Sequence, residues 1–72
     1  MKLQLLDAVV AKEAMPEQSV YQGALCTIVE VLDDSKEVYL VEFAGTDGVE
    51  YALLALKSHQ LLKVYEEPMA TA

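Results

Sequence analysis

The segment Glu37-Val38-Tyr39-Leu40-Val41-Glu42-Phe43 decides how this chain folds. Its β-branched and aromatic residues suit a pleated strand. A strand sends successive side chains to opposite faces, so Tyr39, Val41 and Phe43 share one side and Val38, Leu40 and Glu42 the other. Turn clusters flank it. Asp33-Asp34-Ser35-Lys36 precedes it, where short polar side chains bond their own backbone. Gly45-Thr46-Asp47-Gly48 follows it, and Asp-Gly is a strong hairpin signal.

Working outward, Leu25-Cys26-Thr27-Ile28-Val29-Glu30-Val31 is a β-branched strand behind Gly23, and Val49-Glu50-Tyr51-Ala52-Leu53-Leu54-Ala55-Leu56 is the strand beyond the hairpin. The Leu and Ala content of the latter also suits a helix, but its short length and hairpin context favour strand. Ala8-Val9-Val10-Ala11 reads as a short first strand and Leu62-Lys63-Val64-Tyr65 as a short last one. Between the first two strands, the polar stretch Glu13 to Ser19 carries Pro16, which biases Met15 away from helix and marks a surface loop. Ser58-His59-Gln60-Leu61 reads as one helical turn capped by Ser58.

Five short strands with tight turns predict an all-β domain, a small, strongly bent barrel with one helical turn before the last strand. The expected core is Val9, Ile28, Tyr39, Val41, Phe43, Tyr51, Leu53, Leu61 and Val64. The domain is expected over residues 1–65, with 66–72 a loose acidic tail.

Charge narrows the function. The 72 residues carry a net charge of -7, with five scattered lysines and no arginine. Nucleic-acid binding draws most of its affinity from cations on phosphates, so none is expected despite four tyrosines that could stack on bases. An acidic chain is likewise a poor ligand for an anionic membrane, and no run of 18 apolar residues could span one. A basic protein partner stays compatible. The single cysteine, Cys26, rules out an intrachain disulfide and fits a reducing compartment, so a cytoplasmic location is expected.

The chemistry available is sparse. A nucleophile pair could only be Cys26 with His59, and Cys26 falls mid-strand, where a buried inert thiol is ordinary. One His and one Cys fall short of a zinc set, and Asp33-Asp34-Ser35-Lys36-Glu37 lacks the alternation and central glycine of a calcium loop. No phosphate-cradling glycine motif occurs, so neither catalysis nor a cofactor or metal is expected.

Surface pattern is more informative. If Tyr39, Val41 and Phe43 fill the interior, Val38 and Leu40 face outward; on the neighbouring strand, Val29 and Val31 cannot both share a face with Ile28 without a bulge. Val29, Val38 and Leu40 then form an apolar contact surface, unless bending and the segment Leu3-Leu5-Leu6 cover it. Such a surface predicts self-association as a two-fold dimer. Val29-Glu30-Val31, Val41-Glu42-Phe43 and Val49-Glu50-Tyr51 repeat a Val-Glu-apolar form. Glu30, Glu42 and Glu50 are either solvated faces of alternating strands or an acidic stripe that steers a basic partner.

Gly23-Ala24-Leu25-Cys26-Thr27-Ile28-Val29-Glu30-Val31 resembles the opening pattern G-x-x-G-T-V-V-E-V of certain small SH3-like barrels, and Tyr39-Leu40-Val41-Glu42-Phe43 resembles their Y-x-V-E-F strand. Leu6-Asp7-Ala8-Val9-Val10, Gly48, Leu53-Leu54-Ala55-Leu56 and the Leu61 turn fall in the matching order. Over residues 5 to 65 the chain is similar to domain-of-unknown-function family 4926, small prokaryotic proteins. It departs from that pattern at Cys26, in place of a glycine, and at Leu40, in place of a polar residue. The resemblance implies an SH3-like barrel and no catalytic residues. The family has no assigned activity, so the resemblance carries over fold and not function; the function expected of the chain is that of a non-catalytic protein-binding module of antitoxin, immunity or adaptor type. A more distant likeness, to small accessory subunits of photosynthetic electron-transfer complexes, implies the alternative: an accessory subunit of an enzyme or electron-transfer complex. Those subunits dock acidic ferredoxin through basic residues, which this chain lacks.

Overall fold

The computed structural model describes residues 3–64. It is all-β: β1 (Ala8–Ala11), β2 (Leu25–Asp33), β3 (Val38–Ala44), β4 (Glu50–Lys57) and β5 (Leu61–Lys63) form one antiparallel sheet in the order β4-β3-β2-β1-β5. Two 3-10 turns complete it. Pro16–Gln18 lies in the loop expected to be irregular, and Ser58–Gln60 joins β4 to β5. The expected tail, residues 66–72, lies outside the described residues, as does Tyr65.

The sheet must curl. β4 and β5 end the strand order at opposite sides, which in a flat sheet separates them by about four strand spacings, or ~19 Å. Yet only Ser58–Gln60 joins Lys57 to Leu61, a span that cannot exceed about 15 Å even fully extended and is shorter in a 3-10 turn. The bend falls largely in β2, whose pairing with β3 shifts register between Ile28 and Glu30 and again between Val31 and Asp33. An extra residue at each point increases local twist.

Curling closes the inner face around Val9, Ile28, Tyr39, Val41 and Phe43, all with no solvent exposure. Leu61 joins them as expected. Tyr51, Leu53 and Val64 do not: they are 41%, 47% and 38% exposed. The register shows why. Tyr39 faces Leu56, Val41 faces Leu54 and Phe43 faces Ala52, so the other set of β4 side chains turns inward. Leu3, Ala11, Val20, Ala24 and Cys26 fill the remaining volume, and the Tyr39 hydroxyl accepts a hydrogen bond from the Leu3 N–H at 3.2 Å.

The turns differ in detail from expectation. The Asp33 carboxylate accepts bonds from the Lys36 N–H and the Ser35 hydroxyl, and these, the Lys36 bond foremost, hold its pKa below the usual carboxylate range. Gly48 takes a φ of +80°, which suits glycine in the hairpin turn, where Asp47 accepts a bond from the Val49 N–H. Ser58 does not cap its turn; the Gln60 side chain accepts the Lys57 N–H instead, because Lys57 is the residue that precedes the turn. Cys26 avoids left-handed backbone, which falls instead on Leu6, Ser19 and Glu37.

Candidate functional site

Strand alternation and the two bulges in β2 define the outward face. Inward Tyr39 and Val41 leave Val38 and Leu40 on the outside, both half-buried. Leu40 pairs with Glu30 on one side and Ala55 on the other, and Val38 with Asp33 and Lys57. Val29 follows inward Ile28 onto the outer side by ordinary alternation, and the extra residue keeps Glu30 on that side too. Next along β3, Glu42 pairs with Thr27 and Leu53. The face therefore carries an apolar centre of Val29, Val38, Leu40, Leu53 and Ala55.

Among the described residues, the N-terminal segment sends Leu3 away from this centre. Leu3 is buried in the core instead, and Asp7 bonds the Gln4 N–H at 2.8 Å, folding the segment back on itself. The Leu6 N–H donates to the Ile28 carbonyl at 2.7 Å, which pins the segment beside β2. Leu5 and Leu6 are left exposed, Leu6 in a left-handed conformation at φ 71°.

Carboxylates border the apolar centre. Glu50 pairs with Ala44 on the neighbouring strand, one register step beyond a shift that leaves Tyr51 as an extra residue. Glu42 and Glu50 reach each other: a hydrogen bond between their side chains, with desolvation and mutual repulsion, holds Glu50 above the usual carboxylate range. Such a shift arises when two carboxylates share a site. Glu30 lies across Leu40 from Ala55 and is exposed. The structure thus places Glu30, Glu42 and Glu50 around the same face as Val29, Val38 and Leu40. The pattern reading missed Leu53 and Ala55, because both alternations of β4 are apolar.

Two clefts open elsewhere. Lys12, Glu13, Ala14, Met15, His59 and Gln60 line a cavity of about 200 Å³. Tyr21, Leu25, Ala44, Gly45, Thr46 and Tyr51 line one of about 310 Å³, where the Tyr51 ring lies 6.1 Å from Phe43. Desolvation and the nearby Tyr21 raise the Tyr51 pKa. Cys26 is in the core, its thiol pushed up to about 12 by burial, whereas His59 sits on the exposed turn beside the first cavity. A thiol so shifted is not a thiolate at neutral pH. Among the described residues, no group of three or more His, Cys, Asp or Glu is arranged to hold a metal ion. No helix among them is long and apolar enough to cross a membrane.

The sequence pattern of the family described as Domain of unknown function (DUF4926) matches residues 5–63. The chain belongs to that family. The match spans all five strands of this DUF4926 protein, so the face described above lies wholly within the family's domain. No curated protein matches it. No solved structure matches it.

Proposed function

We propose that this DUF4926 protein is a non-catalytic protein-binding module whose outward β2–β3–β4 face docks a partner with basic side chains. One observation carries the reading: an apolar centre of half-buried Val29, Val38 and Leu40 with exposed Leu53 and Ala55 lies beside two carboxylates close enough that Glu42 raises the pKa of Glu50. Covering the centre removes apolar surface from water, and a cation placed at Glu42 and Glu50 relieves their repulsion. Glu30 adds a long-range attraction that speeds encounter. An antitoxin, immunity or adaptor role fits such a module.

A photo-crosslinking residue at position 40 tests the reading in native-host cells, with position 17 on the far loop as control. The expected result is a discrete adduct from position 40 to one protein, lost when Glu30 and Glu42 are reversed to lysine. Equal labelling from both positions, or an adduct indifferent to the reversals, overturns it.

The exposure of Leu5 and Leu6 favours a second reading, that of an accessory subunit whose complex covers them as well. Such a subunit aggregates or unfolds when produced alone, whereas a free-standing module purifies as a folded species.

A further inference from the structure

The two ends of the strand order are built differently. β5 is three residues long and ends in Lys63, whose ammonium lies 3.4 Å from Asp7. Short length and charge are the usual guards of a sheet edge. β4 is eight residues long, and between Glu50 and Lys57 it reads Tyr51-Ala52-Leu53-Leu54-Ala55-Leu56, with neither charge nor proline. Its one irregularity is the register shift at its start. Among the described residues no strand pairs with its outer edge. A long apolar edge with free backbone groups is a template for another strand.

Charge selects the strand. β4 is acidic at its start, where Glu50 meets Glu42, and basic at its end, Lys57. An antiparallel copy of the same strand brings each basic end to the other's acidic end, and opposite charges across a strand pair are stabilising.

We propose that a second copy of this chain pairs antiparallel with β4, edge to edge, making a two-fold dimer with a continuous ten-stranded sheet. Opposite side chains in an antiparallel pair lie on the same side of the sheet, so a symmetric pairing centres on one residue. Centring on Leu54 sets Leu53 opposite Ala55 of the second copy. It also sets Tyr51 and its neighbour Glu50 beside Lys57 of the second copy. The two-fold axis then stands perpendicular to the sheet, so both outward faces look the same way. The inference goes beyond the proposed function, because the dimer leaves Val29, Glu30, Val38 and Leu40 of each copy open to a partner.

Sedimentation equilibrium of the full chain from 1 to 200 μM tests it, with far-UV circular dichroism confirming that each variant is folded. The wild type is expected to dimerise. Lys57→Glu and Glu50→Lys should each weaken the dimer tenfold or more, and the double swap should restore it to within threefold, since each strand again has opposite ends. Leu53→Lys should abolish it, and Leu40→Ser, away from the edge, should change it less than threefold. A wild type that stays monomeric at 200 μM overturns the proposal. So does a dimer that ignores the charge swaps, or one broken by Leu40→Ser alone. The crosslink from position 40 is read separately, so failure of the dimer and failure of the partner face are distinguishable.

Discussion

β5 and β4 both end the sheet, yet one is short and closed by an ion pair and the other is long and apolar. β5 is anchored by Leu61, only 4% exposed, by pairing with β1, and by Lys63 against Asp7. β4 is anchored by its ladder with β3 and by its inner side chains, while Leu53 and Ala55 meet solvent on its outer face. An edge can thus be firmly held by its inner side chains and still offer a neighbour both its backbone and its outer face. Stability and association are assigned to opposite faces of the same strand.

The comparison breaks most readily in the core. Leu61→Ala should destabilise by about 2–5 kcal/mol, the range for emptying a buried leucine site. In so small a domain that is enough to unfold much of the population, read by urea denaturation. Leu53→Ala on the outer face of β4 should stay within about 0.5 kcal/mol of wild type at concentrations where the chain is monomeric. Equal losses at the two positions would erase the distinction between the edges.

A smaller effect tests how the N-terminal segment closes the core. Tyr39→Phe removes the acceptor of the Leu3 N–H and should destabilise by about 1 kcal/mol. An unchanged urea midpoint would mean that Leu3 is held by packing alone. At β5, Asp7→Asn weakens the pair with Lys63 and should cost below about 1 kcal/mol, with the difference from wild type shrinking in high salt. A salt-independent loss would point to the Gln4 N–H bond instead.

The smallest expected effect separates the charged ends. Glu50 is raised in the folded chain, so its contribution favours folding below the unfolded carboxylate pKa and is lost as pH rises through the folded value. Glu50→Gln should therefore lift the melting temperature at pH 7 by about a degree or two, with little change at pH 3. Thermal melts at both values check it; a drop at pH 7 would remove the repulsion between Glu42 and Glu50 from the description.

Much of the fold is readable from particular residues. Tyr39, Val41 and Phe43 alternate with Glu42 on one side and lie between two unambiguous turns, so their inward placement follows from pattern alone. The outward turn of Val29 after Ile28 likewise follows from alternation, whereas the register shifts between Ile28 and Glu30 and between Val31 and Asp33 leave no mark in the residues. β4 is different. Tyr51, Leu53 and Ala55 are as apolar a set as Ala52, Leu54 and Leu56, and choosing the larger leading residues gave the wrong face. The hairpin register settles it, since Phe43 pairs with Ala52 and Tyr51 is left as the extra residue.

The candidate site divides in the same way. Outward Leu40 and the three glutamates are legible because alternation applies wherever one strand face is plainly polar or plainly aromatic. The meeting of Glu42 with Glu50 is not legible, because it depends on how the strands are set side by side after a register shift.

Sequence alone determined the five strands, the turns between them and the inward side of β3, because local propensity and a period of two act within a few residues. Tertiary structure alone decided which face of β4 is buried, where Leu3 goes and which sheet edge stays open. Those outcomes depend on register and closure between distant segments, and a one-residue slip in pairing reverses every side chain on a strand.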